Sequence, residues 1–184
     1  SGHPVRFVQR DALSFVAEHA ESYDVVFGSY GFAGWIEDLN ALFAGIHRLL
    51  RPGGRLVVVD FHPLIWSFGD GFALTRDDYF QSAVFREPVS DYVGDADGAL
   101  SPSGHLAFEA EPNPHVASSW QHTTAGLLTA IAGAGLRLES FHEWPHSNGY
   151  RAMPGLVAEG SRWVFPPGVP AVPLMFGLVA RRER

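Results

Sequence analysis

Residues 49–60 of the chain, with the sequence LLRPGGRLVVVD, decide the fold. The two leucines complete a run of apolar residues at three- and four-residue spacing, which predicts a helix with one apolar face and consists of Leu39, Leu42, Phe43, Ile46, Leu49 and Leu50. Pro52 cannot continue that helix, and Gly53 and Gly54 permit a turn. Residues 55–60 are continuously apolar between their charged ends, which predicts a strand buried on both faces. Helix, turn and buried strand together predict an α/β fold.

Strand and helix signals on either side extend this pattern. Residues 5–9 and 23–27 are short apolar runs that read as strands, with a two-turn helix between them around Leu13 and Val16. Strand, helix and strand of these lengths predict right-handed parallel crossovers. Further along, Thr123 or Thr124 is placed to cap a helix, and residues 137–143 and 174–180 read as the last two strands.

The composition limits the class of protein. The 184 residues carry 13 basic and 20 acidic side chains, a net charge of −7, and 46% of them are hydrophobic, which is typical of one soluble domain with its own core. The absence of Cys excludes thiol chemistry, Cys-ligated zinc and iron–sulfur clusters. Because there is no basic run and no apolar stretch of about 20 residues, we expect neither nucleic acid nor membrane as a partner. The start of the chain lacks signal-peptide features, so we expect a cytoplasmic protein, compatible with a homodimer.

Residues 62–121 form the least regular part of the chain. Turn signals alternate there with isolated aromatic residues, and the segment follows directly on the predicted strand at 55–60. A stretch of this length is too long for a simple connection. We therefore expect an inserted lid or substrate-binding excursion within a single domain spanning residues 1–184.

Two short motifs suggest other chemistries. Residues 142–146 match H-E-x-x-H, a zinc-binding pattern that requires a helix. Pro145 lies inside the motif and the preceding residues alternate like a strand, so we predict a chance match and no metal site. Ser29 lies in a strand-end turn similar to the nucleophile elbow of serine hydrolases, but Phe27 stands where that motif needs glycine. A serine hydrolase using Ser29 is therefore the weaker alternative.

The order of these segments resembles that of the class I S-adenosylmethionine-dependent methyltransferases from their third strand onward. The resemblance is carried by residues 5–12, by residues 23–26 and above all by the L-x-P-G-G step at residues 50–54 followed by an apolar strand. Shorter matches, from Trp35 to the Pro173–Phe176 stretch, resemble a bacterial group that methylates small molecules, and they extend over nearly the whole chain. The resemblance implies a doubly wound, Rossmann-like sheet that is mostly parallel, with an antiparallel last strand.

The resemblance also implies roles for particular residues. Asp11 and the backbone of Ala12 would bind the adenine of S-adenosylmethionine, although Asp11 is equally well placed to cap a helix. Gly28, Ser29 and Tyr30, at the end of a strand, would face the methionine part of this cofactor. His62 and His122 are the candidates for catalysis in the acceptor pocket, where a neutral imidazole can accept a proton near neutral pH.

One part of the family pattern is missing. The glycine-rich loop after the first strand, and the acidic residue that ends the second, precede the position where this sequence begins. We therefore expect an N-terminally incomplete methyltransferase for a small organic acceptor, and poor S-adenosylmethionine binding by the 184 residues alone. The alternative from another class is a non-catalytic interaction domain that keeps the fold.

Overall fold

The structure is a computed structural model that describes residues 4–19, 22–88 and 115–184. Its α-helices are α1 (Ala12–Glu18), α2 (Leu39–Leu49) and α3 (Thr124–Gly133). Its strands are β1 (Tyr23–Ser29), β2 (Leu50–Phe61), β3 (Val84–Pro88), β4 (Val116–Trp120), β5 (Leu136–Trp144), β6 (His146–Asn148), β7 (Val157–Glu159), β8 (Arg162–Val164) and β9 (Met175–Arg182). Within these ranges, no helix is both long enough and apolar enough to cross a bilayer.

The main sheet has four strands in the order β1, β2, β9, β5. β1 and β2 pair in parallel, with Val26 opposite Leu56. β9 lies between β2 and β5 and runs antiparallel to both, so three strands share one direction and only the last is reversed. This confirms the predicted α/β sheet with an antiparallel last strand.

Polar side chains cap the N-termini of α1, α2 and α3. Asp11 accepts a hydrogen bond from the Ser14 backbone N–H at 2.8 Å, and Asp38 accepts one from Ala41 at 2.9 Å. Thr123, not Thr124, caps α3 by accepting from the Gly126 N–H at 2.9 Å. Each cap satisfies an amide that would otherwise lack a partner at the helix start.

The helices cover one face of the sheet. Leu56 and Val58 of β2 are buried on this face and pack with the predicted apolar face of α2. Gly45 lets α1 approach α2 closely, because a Cβ there would lie 2.4 Å from a methyl carbon of Val16. We call this the covered face.

Among residues 4–19, 22–88 and 115–184, those that cover the opposite face lie only near the carboxyl ends of β1 and β2. A second apolar cluster forms there from Phe61, Ile65, Phe68, Ala152, Met153, Leu156, Leu174 and Met175. Further along the strands, Val25 and Phe27 of β1 are 54% and 59% exposed, and we call this the open face. The prediction that residues 55–60 are buried on both faces is therefore only half right, since Val57 and Val59 are partly accessible.

The predicted strand at residues 5–9 is wrong. Residues 4–10 have no regular secondary structure, and the side chains of Val5 and Phe7 are 70% and 93% exposed. A strand requires a neighbour for its backbone hydrogen bonds and a surface for its apolar side chains. In the described part of the chain, no strand pairs with this segment.

The described part of the predicted lid contains little regular structure. Residues 63–67 and 70–72 form short 3-10 helices, and β3 and β4 pair as an antiparallel ribbon. Residues 89–114, which connect β3 to β4, lie outside the described residues. The lid therefore stays a prediction.

Candidate functional site at the carboxyl edge of the sheet

The carboxyl ends of β1 and β2 meet at one edge of the sheet. Ser29 lies opposite Val59 in the parallel register, so Gly28, Ser29 and Tyr30 end β1 close to the point where β2 ends. His62 follows β2 directly. Ligands of open α/β sheets bind outside such strand ends, which makes this edge the candidate site.

The turn that follows β1 has an unusual backbone. Tyr30 has a φ of +51°, a left-handed conformation that few residues other than glycine adopt, and Gly31 has a φ of +93°. The Tyr30 N–H donates to the Val59 carbonyl at 3.0 Å, which ties the turn to β2. Non-glycine residues held in this conformation are strained and cluster at functional sites.

Asp60 holds the same turn from the end of β2. Its carboxylate accepts hydrogen bonds from the backbone N–H groups of Gly31, Ala33 and Phe61, the last at 2.7 Å. The side chain is buried, and burial raises the pKa of Asp60 although the three amide bonds oppose this shift. We did not predict a role for Asp60 from the sequence, because an acidic residue that ends an apolar run reads simply as the strand end.

His62 is buried, with both ring nitrogens in contact with polar groups. Nδ1 accepts the Leu64 backbone N–H at 3.2 Å, which caps the 3-10 helix at residues 63–67. Nε2 lies 3.0 Å from Oε1 of Glu143 and 3.3 Å from Oγ1 of Thr124. Since Nδ1 accepts, the proton of the neutral ring is on Nε2. Burial lowers the pKa of His62, although Glu143 acts in the opposite direction.

His122 is half-buried, and its Nε2 contacts a backbone carbonyl. Its Nε2 lies 2.7 Å from the carbonyl oxygen of Ile36, which can only accept a hydrogen bond. Nε2 must therefore carry the proton of the neutral ring, and Nδ1 carries the lone pair. Ile36 ends the 3-10 turn Phe32–Trp35, which packs against β4. The fold thereby connects His122 to the loop that contains Tyr30.

Tyr79 and Gln81 contact the residues that flank His122 in the chain. The Tyr79 hydroxyl donates to Oγ1 of Thr124 at 3.2 Å and accepts from the Thr124 N–H at 2.9 Å. Gln81 donates to Oε1 of Gln121 at 3.4 Å, and in the part of the chain that the structure describes the buried Nε2 of Gln121 has no acceptor. A buried amide without a partner is rare and marks either a cost to stability or a place for a ligand. No local sequence signal identifies these contacts.

Asp11 and Ala12 lie at the start of α1, away from these histidine contacts. Hydrogen bonds from Ser14 lower the pKa of the exposed Asp11 carboxyl, so it is an ionised acceptor at neutral pH. Ala12 lines a cavity of about 600 Å³ together with Arg10, Phe15 and Tyr23. Within the described ranges, no hydrogen bond or ring contact joins Asp11 or Ala12 to residues 28–30. The two predicted halves of the cofactor site thus belong to separate local structures.

The two competing motifs lie in structures that do not support their chemistry. The H-E-x-x-H residues lie on β5 and β6, so His142 and His146 do not share a helical face. No cluster of three or more potential metal ligands occurs among residues 4–19, 22–88 and 115–184. In the turn after β1, the strained residue is Tyr30, whereas a nucleophile elbow needs the strain at its serine.

Comparison with known families gives a match over the first part of the chain. Residues 1–58 match the model of the methyltransferase domain family. This segment contains α1, β1, α2 and most of β2, and therefore Asp11, Ala12 and residues 28–30. No curated protein matches the chain in sequence.

Solved structures agree with this match at the level of the fold. An S-adenosylmethionine-dependent methyltransferase from Clostridium acetobutylicum ATCC 824 superposes on the whole chain with a TM-score of 0.56 at 10% identity. One from Mesorhizobium loti matches 89% of the chain with a TM-score of 0.53 at 20% identity. The chain spans 67% and 63% of the lengths of these two structures.

The chain has the fold of the S-adenosylmethionine-dependent methyltransferases, and its first 58 residues match their methyltransferase domain. The match over residues 1–58 and the shared fold agree with the family resemblance that the sequence predicts. They do not identify the methyl acceptor.

Proposed function

We propose that the protein transfers a methyl group from S-adenosylmethionine to a small organic acceptor at the carboxyl edge of the sheet. The observation that carries this proposal is the hydrogen bond from His122 Nε2–H to the Ile36 carbonyl, which fixes the ring next to the loop after β1 and leaves the lone pair on Nδ1. The acidic net charge of −7 fits a small acceptor better than a nucleic acid.

The residues present fit the cofactor in their chemistry. Asp11 offers an ionised oxygen to the adenine amino group, and Ala12 offers its backbone. The left-handed turn at Tyr30 and Gly31 places the half-exposed Tyr30 side chain at the end of β1, next to Gly28 and Ser29. When bound, S-adenosylmethionine supplies an electrophilic methyl group on a sulfonium sulfur.

The two histidines have different roles in this proposal. His122 accepts, on Nδ1, the proton that a hydroxyl or amine acceptor must lose, since its Nε2 is held by Ile36. His62 cannot accept a proton without losing the Leu64 hydrogen bond, so it acts as a neutral donor through Nε2 and orients groups around Glu143 and Thr124. Gln121, whose buried Nε2 has no acceptor among the described residues, offers a further donor beside His122 in the chain.

Binding of S-adenosylhomocysteine, measured by calorimetry on the protein as its gene encodes it, tests the cofactor site. Asp11→Ala should weaken binding about tenfold to a hundredfold, from the ~1.5–3 kcal/mol of a hydrogen bond to a charged group. Asp38→Ala is the matched control, because Asp38 caps α2 as Asp11 caps α1 and both substitutions cost about 1 kcal/mol of helix stability. Equal affinities of the two variants would contradict the adenine assignment. A folded wild type that does not bind at all would favour the non-catalytic interaction domain.

Transfer of labelled methyl groups from S-adenosylmethionine to a panel of small phenols, carboxylic acids and amines tests the acceptor class and His122. With any compound that is methylated, His122→Phe should lower the rate by about 10²- to 10⁴-fold, the usual contribution of a general base. His142→Phe is the control, because His142 is exposed on β5. Wild-type rates in His122→Phe would exclude this residue as the base.

A further inference from the structure

The carboxyl group of Asp60 is buried without a compensating positive charge. Its residue is 4% exposed, and no arginine or histidine of the described residues forms an ion pair with it. A buried ionised carboxylate is costly unless hydrogen bonds replace its water. Here the N–H groups of Gly31, Ala33 and Phe61 do so, and two of these three belong to the turn after β1.

The residue directly before Gly31 is strained. Tyr30 adopts the left-handed conformation, and such a conformation persists only when its surroundings enforce it. On one side of Tyr30, its own N–H donates to Val59 of β2. On the other side, the Gly31 N–H donates to Asp60, also of β2. The peptide on each side of Tyr30 is therefore fixed to consecutive residues of the same strand.

We propose that Asp60 is the positioning residue of the candidate site, and that its carboxylate keeps Tyr30 in the left-handed conformation that ligand binding at residues 28–30 requires. The ligand part of this inference rests on the proposed function. The conformational part depends only on the contacts of Asp60 with the turn. The two parts are measured separately.

Asp60→Asn is the substitution of choice because it keeps the size of the side chain. It removes the negative charge that the N–H groups of Gly31, Ala33 and Phe61 surround, and with its oxygen in the place of Oδ1 it sets an NH₂ group against the Ala33 N–H, which can only donate. We expect the dissociation constant for S-adenosylhomocysteine to rise at least about tenfold. Ser147→Ala is the control for stability, since Ser147 is fully buried on β6 and donates to the Tyr150 carbonyl at 2.6 Å. It should lower the melting temperature without changing this affinity.

A second measurement does not require any ligand. In the wild type, the Gly31 amide proton should resonate far downfield, because it is bonded to a carboxylate, and Asp60→Asn should move it upfield. Tyr30→Gly should stabilise the wild type, since glycine adopts a left-handed conformation without a steric penalty. In the Asp60→Asn background the same substitution should gain less, because a turn that Asp60 no longer holds has already relaxed part of the strain.

Two results would overturn the proposal. One is an Asp60→Asn variant in which both the Gly31 resonance and the affinity for S-adenosylhomocysteine match the wild type. The other is a Tyr30→Gly effect that is the same with and without Asp60, which would show that the two residues are not coupled. If the wild type itself fails to bind S-adenosylhomocysteine, the proposed function fails, and the resonance and the coupling still decide the role of Asp60.

Discussion

The two faces of the main sheet are formed by similarly apolar stretches of sequence but differ in how deeply their side chains are buried. On the covered face, α2 and α3 bury Leu56 and Val58 of β2 completely. On the open face, Val25 and Phe27 of β1 are more than half exposed, although they belong to an equally apolar run. Apolar content thus predicts a strand, and the elements packed on each side determine which side chains are buried.

The candidate site lies at the carboxyl edge of the sheet, where both faces are covered. At the carboxyl edge, the second apolar cluster covers the open face and includes Phe61, one residue after Asp60. The ring of Phe61 lies 5.9 Å from that of Tyr30 and 5.2 Å from that of Tyr150, measured between centroids. The site is therefore supported from both faces, which is what positioning of a ligand requires.

The largest expected effect comes from truncating the same residue type on each face. Phe43→Ala on the covered face removes a fully buried ring and should cost about 3–5 kcal/mol of unfolding free energy. Phe27→Ala on the open face removes a ring that is 59% exposed and should cost less than about 1 kcal/mol. Chemical denaturation of both variants measures the difference.

A large loss in Phe27→Ala would break the comparison. It would mean that another part of the protein covers the open face in solution and buries this ring. An equal, small loss in both variants would instead show that α2 contributes little to the core. Neither result is expected from the burial of the two side chains.

The sequence was sufficient for the elements of the covered face. The spacing of apolar residues identified α2, and the stop at Pro52 and the run after Gly54 located the turn and β2. These sequence patterns were clear because the apolar face of α2 packs on a strand that follows it directly in the chain. The run at residues 5–9 gave a similar signal and forms no strand, since strand formation also depends on a neighbour that local sequence does not specify.

Only part of the candidate site could be predicted in the same way. The family resemblance assigns residues 28–30 to the site, and their position at the end of a strand is consistent with it, because the ends of parallel strands lie at one edge. His62 is a candidate because it follows the predicted strand at residues 55–60. The contacts that define their chemistry join distant segments, such as Glu143 with His62 and Ile36 with His122. The role of Asp60 was missed for the same reason, because it depends on a contact with a turn 29 residues earlier in the chain.

The smallest expected effect is a dependence of stability on pH at the carboxyl edge. Burial lowers the pKa of His62 in the folded protein, whereas Glu143 at 3.0 Å raises it. If burial prevails, the unfolded chain binds a proton below about pH 6.5 that the folded protein does not bind. The unfolding free energy should then fall as the pH falls from about 6.5, by at most ~1.4 kcal/mol per pH unit for this group.

His62→Asn separates this contribution from the rest of the protein. The oxygen of Asn can accept the Leu64 N–H as Nδ1 does, but the side chain does not titrate. Burial also lowers the pKa of His47 and His146, so some loss of stability on acidification should remain in the variant. We expect unfolding free energies measured between pH 7 and pH 5 to fall less in His62→Asn than in the wild type, and His142→Asn, on the exposed part of β5, to follow the wild type. The opposite order, with a steeper fall in His62→Asn, would mean that the Glu143 contact outweighs burial. His62 would then be charged at the edge where the proposed function needs it neutral.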